Sequence, residues 1–215
     1  MACIYQAKDN VSANEEIQQI AWIVYGANSY SWTHFKWSLD YVFFWIDHDL
    51  QTSWQTKPAD PKAANSTVLS HNEFGYVLSD PYSSRESSGT LRITQDASVP
   101  ATGNTLVGIG MDGAGTFAAT ANPNQILAFT PKPPSSHLYY ITFGQYALQT
   151  GDVLDPSVLN PPGAVQFTPG FTSMTATLDS TNAWAVTPGR PPEEELRAAN
   201  LFYEAGIGLD LRSGD

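Results

Sequence analysis

Between Phe35 and Trp45 every second residue is large and apolar: Phe35, Trp37, Leu39, Tyr41, Phe43 and Trp45, with Lys36, Ser38 and Asp40 between the first of them. A period of two belongs to an extended chain, whose successive side chains point to opposite faces of a sheet. A helix does not present this pattern, because its own repeat is about 3.6 residues. The stretch therefore predicts one long strand with a buried face. From Val42 to Ile46 both faces are apolar, so that end is expected to be covered on both sides.

Shorter segments repeat the theme. The apolar residues after Gln18 predict a strand over 18–25, closed by Gly26-Ala27-Asn28. Residues 74–78, 90–95, 125–130, 137–148, 171–178 and 183–186 read as strands bounded by Gly, Pro or Asp. Residues 105–111 and 116–121 flank Asp112-Gly113-Ala114-Gly115, which predicts a hairpin. Loops are expected at 55–66, 80–89 and 155–163. One helix is expected at 192–204: Pro191, Pro192 and three glutamates open it, Leu196, Ala199 and Tyr203 follow at helical spacing, and Gly206 ends it. Short strands between turn signals add up to an all-β sandwich or barrel of about ten antiparallel strands in a single domain spanning 1–215.

Composition narrows the function. Of 215 residues, 10 are Lys or Arg and 21 are Asp or Glu, giving a net charge of −11. A phosphate backbone is held by clustered basic residues, and the ten here are scattered, so nucleic acid is excluded as a partner. The same charge disfavours an anionic membrane. Charged residues are only 14% of the chain while aromatics are 12%, which is the reverse of a disordered segment. Cys3 stands alone, so there is no intrachain disulfide. No basic start precedes an apolar run, so no signal peptide is expected, and the chain reads as cytoplasmic or released without one. The partners left open are neutral ones: a sugar or glycan, a zwitterionic headgroup on a membrane, or an apolar molecule.

Motifs are sparse. Gly108-Ile109-Gly110-Met111-Asp112-Gly113 matches the letters of a dinucleotide fingerprint, but a strand and not a helix follows it, so a hairpin is expected. His71-Asn72-Glu73 resembles the start of a zinc-deaminase signature, but that signature needs a cysteine pair that the chain lacks, so a turn is expected. Asn10-Val11-Ser12 and Asn65-Ser66-Thr67 fit the glycosylation pattern and are read as chance. Asp47-His48-Asp49 is the densest polar cluster, with Asp47 and Asp49 as weak metal candidates and His48 as a conceivable base. No cofactor is implied.

Three functions remain, in order of preference. The first is a non-catalytic module that holds a carbohydrate or another neutral ligand through aromatic and acidic loop residues. Its candidates are Trp54, Asp80, Tyr82, Arg85 and Asp112, with Trp32 and Trp184 behind them, because an aromatic face stacks on a sugar ring while carboxylate and guanidinium groups hold its hydroxyls. The second is a small-molecule enzyme with an apolar barrel pocket, working through His34, Asp47, His48, Asp49 and His137. The third is a toxin-like protein that seats exposed Trp and Tyr on a neutral bilayer.

Overall fold

The computed structural model describes the chain except for residues 28–31, 48–53, 85–88, 102, 145–147, 156–158, 168, 195–208 and 212–215, and it describes 209–211 by backbone alone. The described residues are almost entirely β. They form two compact units: the first takes Met1–Ala7, Ala21–Leu39 and Pro133–Asp215, the second Lys8–Ile20 and Asp40–Lys132. No helix among them is long and apolar enough to cross a membrane.

The second unit is a sandwich. Its six-stranded sheet holds β2 (Val11–Ala13), β8 (Asn65–Asn72), β9 (Gly75–Leu78), β10 (Tyr82–Ser83), β11 (Leu91–Gln95) and β14 (Ile126–Pro131). Their order is β10-β8-β11-β14-β2, and β9 lies beside the far end of β8. The five-stranded sheet holds β3 (Gln18–Gln19), β6 (Tyr41–Asp47), β7 (Trp54–Pro58), β12 (Thr105–Met111) and β13 (Ala114–Thr120), in the order β3-β13-β12-β6-β7. One apolar cluster fills the space between them. Phe43, Trp45, Val107, Ile109 and Phe117 come from one sheet, and Leu69, Leu91, Ile93, Leu127 and Phe129 from the other. Alternation along each strand dictates this, since only alternate residues reach the shared interior. The second face of β6 is also buried: Phe44 packs with Ile20, Leu106 and Ala118. That is the double cover expected for Val42–Ile46.

The first unit has a sheet of β1 (Ala2–Gln6), β4 (Ile23–Tyr25), β15 (Leu138–Phe143) and β16 (Gly163–Gln166), ordered β16-β15-β1-β4. A second sheet holds β5 (Lys36–Trp37), β17 (Ser173–Leu178), β18 (Trp184–Pro188) and β19 (Leu209–Leu211), ordered β18-β17-β19-β5. Aromatic rings join the two sheets, with Trp37 and Tyr139 centred 5.1 Å apart and Trp22 and Phe167 packed beside them.

Several expectations need correction. The strand at 18–25 is two strands, β3 and β4, in different units, because the chain passes from one unit to the other at Ile20–Ala21. The long strand at 35–45 is likewise β5 and β6, broken at 38–40. Burial keeps the alternation across the break, with Phe35, Trp37, Phe43 and Trp45 all buried. Residues 55–66 are not one loop: β7 runs to Pro58, a tight turn occupies 59–64, and β8 begins at Asn65. Pro58 is tolerated because β7 is an edge strand and needs no amide hydrogen on its open side. Pairing is not wholly antiparallel, since β8–β11 and β5–β19 are parallel. Of the helix expected at 192–204, residues 195–204 lie outside the described residues. The expected hairpin joins β12 and β13, with Asp112 at φ 52° and Gly113 at φ 77°, the left-handed pair a two-residue turn requires.

Candidate ligand-binding face

The six-stranded sheet turns one set of apolar residues inward, and its other face mixes hydroxyls with Arg92 and single apolar residues. Along β11 the buried residues are Leu91, Ile93 and Gln95, so Arg92 and Thr94 point outward. Register then fixes their neighbours. Tyr82 of β10 lies opposite Ser66 of β8, Ser66 lies opposite Arg92, and Arg92 lies opposite Ala128 of β14. One row across the sheet therefore reads Tyr82, Ser66, Arg92, Ala128. The next row reads Val68, Thr94, Ile126. On the other side Thr90 and Thr130 share a hydrogen bond of 2.9 Å between their hydroxyls, and Thr130 lies opposite Ser12 of β2. Directly opposed residues share a face, so these side chains form one outer surface.

Two features of the surface stand out. Tyr82, Val77 and Ile126 are large side chains left exposed on it, Tyr82 to 49%. Ser66 is only 1% exposed, and its Oγ has no partner among the described residues. A buried hydroxyl without a partner costs about 1–3 kcal/mol. Such orphans are rare in native proteins.

The structure scatters the residues singled out by sequence. Trp54 is 57% exposed, but it lies opposite Ile46, whose side chain belongs to the outer face of the five-stranded sheet. Trp54 and Tyr82 thus sit on opposite outer faces of the sandwich. Asp80 is brought to Lys57 of β7, whose Nζ donates to Oδ1 at 2.6 Å. That hydrogen bond, with the ammonium charge, holds the Asp80 carboxyl below its ordinary range. Gln55, two residues before Lys57, accepts from the Leu78 backbone N–H at 2.9 Å and from Trp45 Nε1 at 3.2 Å. Asp80 and Gln55 therefore belong to a clasp between the two sheets at their β7–β9 edge, not to the hydroxyl face. Asp112 tips the β12–β13 hairpin, at the end of β12 away from Trp54. Arg85 falls outside the described residues.

In the first unit, Trp32 is half-buried and His34 exposed. The indole of Trp184 lies so close over Gly163 that a Cβ there would meet its Cγ at 2.7 Å, and its Nε1 donates to the Pro161 carbonyl at 3.1 Å. His137 is buried, its Nδ1 3.2 Å from the Tyr139 hydroxyl. Asp47 ends β6 half-buried, while His48 and Asp49 lie outside the described residues. Among the described residues no three His, Cys, Asp or Glu side chains are grouped to hold a metal. Cys3 is buried in the core, and burial pushes its thiol up to about 12. Neither glycosylation pattern is displayed for modification: Asn10 is buried, and the Asn65 side-chain oxygen accepts the Asp60 backbone N–H at 2.9 Å.

Sequence reasoning missed Ser66, Arg92, Thr94 and Ile126. The signal was present for two of them. Leu91 and Ile93 mark one face of a strand, which assigns Arg92 and Thr94 to the other. Ser66 was hidden because residues 65–72 mix polar and apolar types without a clear period.

Comparison with known proteins gives a family and no mechanism. No solved structure matches the chain at a significant level. Protein RhiA of Rhizobium leguminosarum bv. viciae is 29% identical over 161 residues, a stretch that covers 72% of this chain and 66% of that protein. The match thus spans just under two thirds of the relative's own length. A family model described as RhiA matches residues 1–189, most of the sequence, and on that evidence the chain belongs to the RhiA family.

Proposed function

We propose that this chain is a non-catalytic binding module whose ligand is a carbohydrate, seated on the outer face of the six-stranded sheet. The observation that carries the reading is the row Tyr82, Ser66, Arg92, with the hydroxyls of Thr90, Thr94 and Thr130 around it. A sugar presents apolar C–H faces and hydroxyls that both donate and accept. An exposed tyrosine ring suits the first, and threonine and arginine side chains suit the second. The net charge of −11 turns polyanions away and leaves neutral sugars unaffected.

Calorimetric titration with uncharged oligosaccharides tests this. Tyr82→Ala is expected to weaken binding by about tenfold or more, equivalent to ~1.4 kcal/mol, with the melting temperature unchanged. Trp54→Ala, on the opposite face, is expected to leave binding intact. Loss of binding in Trp54→Ala together with full binding in Tyr82→Ala would place the site on the other sheet. Binding to zwitterionic lipid vesicles with no response to any sugar would replace carbohydrate by a membrane as the partner.

A further inference from the structure

We infer that the ligand is an extended, uncharged polysaccharide chain that runs diagonally across the strands from Tyr82 to Ile126, and not a single sugar or a chain end. This inference rests on the carbohydrate reading and adds to it the length and course of the ligand.

The reason lies in how Tyr82 and Ile126, two of the three large side chains exposed on this face, are placed. Tyr82 is on β10 and Ile126 on β14, with β8 and β11 between them. Register puts Ile126 in the row of Thr94, two residues along β11 from Arg92, while Tyr82 lies in the row of Arg92 itself. Three strand spacings of about 4.8 Å and two residues of rise at about 3.4 Å separate the pair by about 16 Å. One sugar ring cannot touch both, whereas a chain of several rings can. Between the two ends the rows place Arg92 and Thr94 on β11, with Val68 and Ala128 beside them and Ser66 buried beneath. Apolar contact at each end with hydrogen-bonding groups between is the pattern a glycan chain offers, ring faces alternating with hydroxyl edges. The Ser66 Oγ, buried and without a partner among the described residues, lies in the row of Tyr82 and Arg92.

Other occupants fit less well. A second copy of the chain would need a continuous apolar patch, and here single apolar side chains stand among hydroxyls. A nucleic acid strand meets a net charge of −11. A polypeptide strand would pair with the edge of a sheet, not lie across its face.

A length series tests the inference. Gluco-, xylo- and manno-oligosaccharides from the monomer to the hexamer are titrated into the full chain and into Ile126→Ser. In the parent chain, affinity for one of the series is expected to climb steeply with length and then level off once the diagonal is spanned. In Ile126→Ser most of that gain with length is expected to disappear, with hexamer affinity falling about tenfold. Equal affinity for monomer and hexamer in the parent chain would overturn the extended ligand and leave carbohydrate binding standing. A length-dependent gain unaltered by Ile126→Ser would overturn the course proposed here. Absence of binding by any of these sugars would remove the carbohydrate reading and this inference with it.

Discussion

Alanine at Gly110 is expected to cost the second unit about 4 kcal/mol or more, among the largest losses a single side chain causes. Gly110 lies in β12, a strand buried along its whole length between β13 and β6. A Cβ built there would fall 1.8 Å from the Ala114 carbonyl oxygen. The obstacle is backbone, so no rotamer change relieves it, and β12 and β13 would have to part. Gly108 is held the same way, its Cβ 1.9 Å from the Phe117 oxygen. The pairing register shifts between Ile109 and Gly110, which is the irregularity that brings the two backbones so close. These glycines serve close approach, not turn geometry, which is why a match to the glycine spacing of a nucleotide fingerprint means nothing here. Denaturant unfolding provides the check, with Gly26→Ala as control, since a Cβ at Gly26 meets nothing within 4 Å. Domains are stable by only about 5–15 kcal/mol, so Gly110→Ala is expected to lose most of its cooperative transition or to misfold outright. A midpoint equal to that of Gly26→Ala would mean that the close approach between β12 and β13 is absent.

The second large effect is expected at Gln55. Its side-chain oxygen accepts two hydrogen bonds, from the Leu78 backbone N–H and from Trp45 Nε1. Both donors belong to buried residues. The first joins β7 of one sheet to β9 of the other, at an edge where neither strand has a ladder partner on that side among the described residues. Gln55→Leu keeps the volume and removes the acceptor, leaving two donors unsatisfied at roughly 1–3 kcal/mol each. A loss of about 3 kcal/mol is expected, with a change in Trp45 fluorescence. Lys57→Ala removes the neighbouring contact to Asp80 and is expected to matter little, because Asp80 is open to water. Equal effects of the two substitutions would show that the clasp depends on surface charge and not on the half-buried Gln55 amide.

Why these elements were or were not legible in the sequence follows from what a period can encode. The alternation from Phe35 to Trp45 reported burial correctly at Phe35, Trp37, Phe43 and Trp45. It did not report that two strands in two units share it, because a break at 38–40 that preserves parity leaves the pattern intact. The β12–β13 hairpin was legible because Asp-Gly supplies the left-handed residues its turn needs. β1 was not legible: Ala2–Gln6 is buried on both faces, so it has no polar side to mark a period. The candidate face was half legible. Tyr82 was named for its loop, but pairing, not sequence distance, sets it in line with Ser66 and Arg92. Trp54 and Asp80 were named with it, and the structure assigns Trp54 to the opposite outer face and Asp80 to the clasp with Lys57.

The central claim is that the outer face of the six-stranded sheet is where ligand binds. Amide chemical-shift mapping tests it most directly. An isotopically labelled sample of this 23.4 kDa chain is titrated with the oligosaccharide that binds best. The expected result is a contiguous set of shifts on β8, β10, β11 and β14, centred on Ser66, Tyr82 and Arg92. Shifts centred instead on Trp54 and Ile46, or on Trp32 and His34 of the first unit, would contradict it.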